Sequence, residues 1–294
     1  MKTITIIGVG NAGGAFAIAL SKGGYKVEYL VHRGRKIARL IKRERVPSAI
    51  LAPWPATDRA ISSDIIIIAV PDPEIGTVSK GLEKRLHKGQ TVLHTSGSLT
   101  SKELSNLVRV GCHIGSIHPL VSISDPFRGA EQFDGSYFCV EGDKRAVAEA
   151  RRIVKAVRGK SFALEASKKA LYHAAAVTAA GHVTALFDAA VAMLSKCGLT
   201  QREAAKILFP LIQSAVQNLE HQSTEDALTG SFARLDIGAF ERHIDSFGPV
   251  PKSVSELYFT LGSRSLDIVE RRDGPSKQLA EFRRRISVAK RNSK

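Results

Sequence analysis

The stretch Gly8-Val9-Gly10-Asn11-Ala12-Gly13 stands between an apolar run, Thr3 to Ile7, and apolar residues at helical spacing, Ala15 to Leu20. The β-branched run predicts a buried parallel strand, and the spacing behind the glycines predicts a helix. A strand, a tight glycine turn and a helix in this order form the context in which G-x-G-x-x-G indicates dinucleotide binding. The fold is therefore expected to be built around this turn.

Each glycine of the motif has a separate expected task. Gly8 allows the tight turn, Gly10 lets the backbone approach a pyrophosphate, and Gly13 lets the helix and the strand pack closely. The phosphates would bind free N–H groups at the positive end of the helix, where Asn11 and Ala12 also lie. These five residues are predicted to bind the cofactor.

A second strand is predicted over Tyr25 to Val31, and the residues behind it favour NADP over NAD. In an NAD enzyme, an acidic residue near the end of this strand binds the ribose hydroxyls. Here Glu28 lies mid-strand, too early to reach the ribose. Guanidinium groups suit phosphate oxygens, so a basic corner would instead hold the 2′-phosphate of NADP. Its candidate residues are His32, Arg33 and Arg35, with ordinary surface arginines as the alternative.

Further strands alternate with helical connections, which predicts an α/β fold with a doubly wound, parallel Rossmann sheet. Ala60 to Val70 is an apolar run that ends in Pro71-Asp72-Pro73, at the sheet edge where ligands bind, so Val70 and Pro71 are further candidates for cofactor contact. Other strands are predicted over Gln90 to His94, His113 to His118, Ser136 to Val140 and Lys160 to Leu164. This Rossmann domain is expected to comprise residues 1–165.

Residues 166–294 are expected to form an all-helical domain for substrate binding and dimerisation. A helix is predicted over Lys168 to Ser195, and others over Thr200 to Glu220, Leu235 to Phe247 and Ser253 to Arg271. Ala174 to Leu194 is alanine-rich and long enough to cross a membrane, but His173, His182 and Asp188 lie in or beside it. A long, buried, closely packed helix is the prediction, with a homodimer because one small domain would struggle to cover it.

The formal charge of +15 comes mainly from basic residues after the second strand and from Arg271 to Lys294. A solvated helix face and a frayed tail explain most of this charge, and no nucleic-acid-binding motif accompanies it, so nucleic acid is not an expected partner. Three scattered cysteines indicate neither a disulfide framework nor a metal site. The sequence enters a strand after one lysine, so no signal peptide is predicted and a cytoplasmic location is expected.

The chain resembles the NADP-binding proteins of the 6-phosphogluconate-dehydrogenase-like superfamily, which includes pyrroline-5-carboxylate reductase, β-hydroxyacid dehydrogenase and prephenate dehydrogenase. Within it, the chain is similar to a family that joins a Rossmann-like domain to a helical domain of unknown function. The resemblance rests on Gly8 to Gly13, His94 to Gly97, Ser116 to Leu120, Leu171 to Ala176 and Leu228 to Asp236. The last segment departs from the family's usual proline at 231 and glycine at 235, and Gly181 replaces a usual asparagine.

Gly115-Ser116-Ile117-His118-Pro119 resembles the Gly-x-His-Pro segment of prephenate dehydrogenases, whose histidine lies beside the substrate hydroxyl. Oxidising an alcohol by hydride transfer requires the hydroxyl proton to leave, and imidazole titrates near neutral pH. His118 is therefore the first candidate catalytic residue. The alternative is a histidine packed at a strand end and bonded to backbone.

Lys169 and His173 are spaced i, i+4 and share one helix face. The resemblance to β-hydroxyacid dehydrogenases implies that Lys169 polarises a substrate carbonyl or donates a proton, with His173 beside it. A surface lysine beside a partly buried histidine is the alternative. Ser96 follows a strand at the nucleotide edge and could bond substrate or nicotinamide, although serine in such turns often bonds its own backbone.

The expected function is that of an NADP-dependent oxidoreductase acting on a small, carboxylate-bearing metabolite, with Arg234 as a candidate anion partner. The alternative is a protein that binds NADP(H) without turnover and reports redox state. Groups for proton transfer separate the two, since a sensor has no need of His118, Lys169 and His173.

Overall fold

The computed structural model describes residues 1–54 and 60–292, without the side chains of Arg35 and Asn292. It divides into two compact units, Met1–Ala180 and Gly181–Lys294. The boundary predicted after residue 165 precedes the observed boundary after Ala180. The helix between these two positions belongs to the first unit.

The first unit contains one eight-stranded sheet with strands in the order β3-β2-β1-β4-β5-β6-β7-β8. All neighbouring strands are parallel except β6 and β7, which run antiparallel. The predicted doubly wound sheet is confirmed, with a reversed pair of strands at one edge. The strands are β1 Thr3–Ile7, β2 Lys26–His32, β3 Ile50–Pro53, β4 Ile65–Ile68, β5 Thr91–His94, β6 His113–Pro119, β7 Tyr137–Gly142 and β8 Lys160–Ala163.

Helices cover both faces of this sheet and make up the second unit. Those of the first unit are α1 Asn11–Lys22, α2 Arg35–Arg45, α3 Asp72–Leu82, α4 Ser105–Val108, α5 Pro126–Gln132, α6 Lys144–Ala156 and α7 Lys169–Ala179. Those of the second unit are α8 Gly181–Ser195, α9 Gln201–His221, α10 Thr224–Ala227, α11 Gly230–Ala233, α12 Ile237–Asp245, α13 Lys252–Asp273 and α14 Lys277–Asn292.

The sheet separates two hydrophobic clusters, which explains its uninterrupted apolar strands. In β4, Ile65 and Ile67 belong to one cluster, while Ile66 and Ile68 belong to the other. Successive side chains of a strand point to opposite faces, so a strand buried on both faces must be apolar throughout. The second unit has its own core, in which Phe240, Phe259 and Phe282 are buried.

Two predictions about the helical half are wrong. The expected long helix is broken at Ala180 into α7 and α8, and most of its residues are exposed rather than buried. The expected frayed tail is instead α14, whose Leu279, Phe282 and Ile286 are buried in the core of the second unit. The sequence KQLAEFRRRISVAKRN of α14 mixes basic residues with apolar ones, and its apolar stripe was not recognised among the charges.

In the described part of the chain, one stretch, Ala166–Ser195, is long and apolar enough to cross a membrane. At its start, Lys169 is fully buried and donates hydrogen bonds to Ser96 and Ser116 in the sheet unit.

Candidate nucleotide and proton-transfer site

The three glycines of the turn have the geometry that dinucleotide binding requires. Gly8 has φ +94°, and a Cβ there would collide with the Ala69 carbonyl oxygen. A Cβ on Gly13 would collide with the Gly8 carbonyl oxygen, which shows how closely α1 approaches the turn. A Cβ on Gly10 would meet nothing within 4 Å, so the face of Gly10 is open to a ligand. The residues present therefore fit a pyrophosphate at the start of α1.

Asn11 and Ala12 begin α1, so their N–H groups belong to the unsatisfied first turn of the helix. The Asn11 side chain has a separate task, because its Nδ2 donates to the carbonyl oxygens of Ile123 and Ser124 at 3.3 and 3.0 Å. This contact ties the segment after β6 to the glycine turn.

A pocket of about 260 Å³ lies beside the turn. Its lining includes six residues that the sequence predicts as cofactor contacts, namely Gly8, Gly10, His32, Arg33, Val70 and Pro71. Trp54 and Glu74 also line it, and neither is among the predicted residues. The Arg35 side chain lies outside the described residues, so its predicted contact with a 2′-phosphate stays a prediction.

The Arg33 guanidinium is paired with the Glu74 carboxylate by two contacts of 2.8 and 2.7 Å. Glu74 comes from the first turn of α3, whereas Arg33 follows β2. Glu28, the acidic residue within β2, instead accepts a hydrogen bond from Ser63 at 2.8 Å. The acidic group at this end of the pocket is thus supplied by α3.

The turn behind β5 is held from several sides. Ser96 Oγ donates to Asp72 Oδ2 at 2.8 Å and accepts from the Leu99 N–H at 3.0 Å, and Ser96 is buried. The Ser96 N–H donates to His94 Nδ1 at 3.2 Å, while His94 Nε2 contacts the Thr100 carbonyl oxygen at 3.0 Å. Burial lowers the pKa of His94 to about 4, so this ring is neutral at pH 7. Ser96 therefore shapes its own turn, which was the alternative to a substrate contact.

His118 lies at the carboxyl end of β6 and is half-buried. Its Nδ1 is 2.6 Å from the Tyr172 hydroxyl, and its ring centroid is 5.6 Å from that of His173. A Cβ on Gly97 would lie 2.8 Å from His118 Nε2 and would collide with the His173 ring. Burial, chiefly, lowers the pKa of His118 to about 4, and burial raises the pKa of Tyr172. The imidazole is thus neutral near pH 7.

Lys169 is placed differently from its predicted role. Its side chain is 0% exposed, and Nζ donates to the Ser96 carbonyl oxygen at 3.1 Å and to Ser116 Oγ at 2.7 Å. Glu141 Oε2 is 3.9 Å from Nζ and supplies the opposite charge. Burial lowers the pKa of Lys169, and Glu141 opposes that shift. An ammonium group enclosed in this way positions the Ser96 turn and does not present itself to a substrate.

Two family models together match most of the chain. Residues 2–119 match a Rossmann-like domain, and residues 136–265 match a domain of unknown function, DUF2520. The chain joins a Rossmann-like domain to a DUF2520 domain. The DUF2520 match begins within the sheet and includes β7, β8 and α7, so Tyr172, His173 and Lys169 all belong to the matched segment.

Solved structures share the fold of this chain, and a curated relative matches part of it. Protein TM1727 from Thermotoga maritima is 25% identical, with a TM-score of 0.71 over 92% of this chain and 99% of that one. Pyrroline-5-carboxylate reductase from Streptococcus pyogenes is 17% identical, with a TM-score of 0.59 over 92% of this chain and 98% of that one, a likeness of fold. Glycerol-3-phosphate dehydrogenase [NAD(P)+] of Mannheimia succiniciproducens is 29% identical over 135 residues, 42% of this chain and 40% of its own length. The chain thus matches less than half of that curated relative.

The DUF2520 segment supplies two residues around His118 and Lys169 that sequence reasoning missed, Tyr172 and Glu141. Tyr172 lies in Leu171 to Ala176, one of the segments on which the resemblance rests. No spacing rule predicts that it contacts His118 on β6, 54 positions earlier. Glu141 on β7 is opposite Ser116 on β6, a register that follows only from the antiparallel pairing. Among residues 1–54 and 60–292, no group of three or more His, Cys, Asp or Glu side chains is arranged to hold a metal ion.

Proposed function

We propose that the protein is an NADP-dependent oxidoreductase acting on a small metabolite. The observation that carries the proposal is a series of contacts that leads from the glycine turn to His118, a histidine that can transfer a proton. Val70 and Pro71 line the nucleotide pocket, Asp72 follows them and binds Ser96, and Gly97 meets His118 and His173. The bound nicotinamide would supply or accept the hydride; the remaining steps belong to side chains of this chain.

His118 would move the proton that accompanies that transfer. With the Nδ1 hydrogen donated to the Tyr172 oxygen, Nε2 remains to accept the proton of a substrate hydroxyl during oxidation. In reduction the ring would first have to take up a proton, because the neutral form predominates near pH 7; the imidazolium would then donate from Nε2 and keep its bond to Tyr172. His173 and Gly97 bound the space around Nε2 and would orient the reacting group.

Lys169, Ser96 and Asp72 would act indirectly. Lys169 and Asp72 hold the backbone and the hydroxyl of Ser96, which fixes Gly97 against the His118 ring. The predicted role of Arg234 as the partner of a substrate carboxylate stays a prediction; its side chain is exposed. That pairing and the carboxylate itself are the most specific parts of the proposal.

The test is turnover with NADPH across a panel of small 2-oxo and 3-oxo acids and cyclic imines. Once a substrate is found, His118→Gln should lower kcat by about 10²–10⁴-fold and leave NADPH affinity nearly unchanged. His113→Gln is the matched control, because His113 lies on the same strand and pairs instead with Asp143 at 3.7 Å. Full activity in His118→Gln would overturn the assignment of His118.

A non-catalytic NADP(H) sensor is the second candidate, and the burial of Lys169 and Ser96 favours it. Two of the four candidate catalytic residues, Lys169 and Ser96, are enclosed by protein partners. NADPH binding at micromolar affinity without turnover of any compound in the panel would support the sensor. Absence of binding by both NADPH and NADH would exclude both functions.

A further inference from the structure

The Arg33–Glu74 pair stands at the mouth of the nucleotide pocket. Both side chains line the pocket together with Gly8, Gly10 and Val31. The Arg33 side chain is 64% exposed and the Glu74 side chain 29% exposed, so both can be reached from solvent. Their two contacts of 2.8 and 2.7 Å join both carboxylate oxygens to the two terminal nitrogens of one arginine.

In this geometry the Arg33 guanidinium is oriented to bind an anion through two oxygen atoms. The fork of Arg33 now holds a two-oxygen anion, and the same fork fits two oxygens of a phosphate. A 2′-phosphate arriving at Arg33 would meet the Glu74 carboxylate as a competitor of like charge. A 2′-hydroxyl arriving there would meet the same carboxylate as a hydrogen-bond acceptor.

We propose that Glu74 sets the cofactor preference of this pocket by opposing the 2′-phosphate of NADP(H) and accepting the 2′-hydroxyl of NAD(H). The inference rests on the proposed function, because it assumes that a nicotinamide dinucleotide binds beside Gly10. It assigns to α3 the acidic group that β2 lacks near its end. With Arg33 and Glu74 both present, the pocket binds NADP(H) and NAD(H). The ratio of the two affinities is closer to one than it would be with Arg33 alone.

Glu74 also has a simpler structural explanation. It lies in the first turn of α3, where an acidic residue interacts favourably with the helix dipole. That role predicts a change in stability and no change in the ratio of two cofactor affinities. The ratio therefore separates the two explanations.

The experiment measures the dissociation constants of NADPH and NADH by fluorescence titration of the full chain. Glu74→Gln should tighten NADPH binding about threefold to tenfold, because an exposed ion pair of modest strength and a like charge are both removed. The same variant should weaken NADH binding about threefold to tenfold, because a charged hydrogen-bond acceptor is lost. Arg33→Gln should weaken NADPH binding at least about tenfold and should not weaken NADH binding.

Glu44→Gln is the matched control, since it removes one carboxylate from an exposed arginine pair, Arg43–Glu44, outside the pocket lining. It should leave both affinities unchanged. If wild-type protein binds either cofactor and Glu74→Gln keeps the wild-type affinity ratio, the role of Glu74 is refuted while the proposed function stands. If wild-type protein binds neither cofactor at millimolar concentration, the proposed function and this inference both fall.

Discussion

At the residue scale, Leu235 is the position where a family pattern and a backbone angle agree. The pattern of the family that the sequence resembles has glycine there, and Leu235 has φ 53° in this structure. A side chain in the left-handed region costs about 1–2 kcal/mol, which glycine avoids. Leu235 also packs against the core of the second unit, so its side chain offsets part of that cost.

Comparing two substitutions separates strain from packing. Leu235→Gly and Leu235→Ala both lose the leucine contacts, but only alanine keeps the strain. We therefore expect Leu235→Gly to be more stable than Leu235→Ala by about 1 kcal/mol in urea unfolding. At Arg151, an exposed position inside α6, the ranking should reverse, with alanine more stable than glycine by about 1 kcal/mol. Equal stabilities at 235 would contradict the strain.

His94 gives the protein a predictable dependence of stability on pH. Its side chain is fully buried, and burial lowers its pKa from 6.5 to about 4. The unfolded chain therefore binds the proton first as pH falls. The contribution is fully present above pH 6.5 and is lost toward pH 4.

Between these values the free energy of unfolding should fall by about 1.4 kcal/mol per pH unit on account of His94. Denaturant titrations at several pH values would measure the slope. In His94→Gln, which can still donate to the Thr100 carbonyl oxygen, the slope should decrease by about that amount. An unchanged slope would mean that His94 does not titrate in this way.

At the scale of elements, a buried amine at the start of α7 helps to hold this helix to the sheet. Lys169 binds the Ser96 carbonyl oxygen and Ser116 Oγ and lies 3.9 Å from Glu141. Removing one partner of a buried ion pair leaves the other charge uncompensated, at a cost of about 3–5 kcal/mol. Lys169→Met should therefore destabilise the protein by about 3 kcal/mol in urea unfolding.

Lys168→Met is the neighbouring control, since Lys168 is exposed and its loss should change stability by less than about 0.5 kcal/mol. Both variants replace a lysine by methionine, at adjacent positions, so the change in charge and size is the same in both. A similar small effect in both would show that the Lys169 contacts contribute little to folding.

The sequence predicts the parallel strands well because their residue patterns are local. The run Ile65 to Ile68 is typical of a strand buried on both faces, and the glycine turn indicates the first crossover. The predictions fail where the outcome depends on distant partners. Strand β3, Ile50–Pro53, is short and partly exposed, and the reversal of β7 depends on pairing with β6. The enclosure of Lys169 depends on that same reversal, because it places Glu141 beside Ser116.

At the scale of the whole molecule, the second unit leaves much apolar surface in contact with water. Val183 and Leu186 on α8 are exposed, as are Ile207, Phe209, Leu211, Val216 and Leu219 on α9. Large exposed apolar patches mark interaction sites. The sequence predicted that this domain could not cover itself, and the exposed side chains give the same physical reason for a partner.

We expect that partner to be a second copy of the chain. An obligate interface buries roughly 2,000 Å² or more of largely apolar surface, which α8 and α9 can supply from both copies. Sedimentation at micromolar concentration should show a dimer for the wild-type protein. Ile207 and Leu211 are 57% and 66% exposed and lie one helical turn apart, so Ile207→Glu/Leu211→Glu should leave the fold intact and yield a monomer. A wild-type monomer at that concentration would refute the dimer, and a persistent dimer in the double variant would place its interface away from this face of α9.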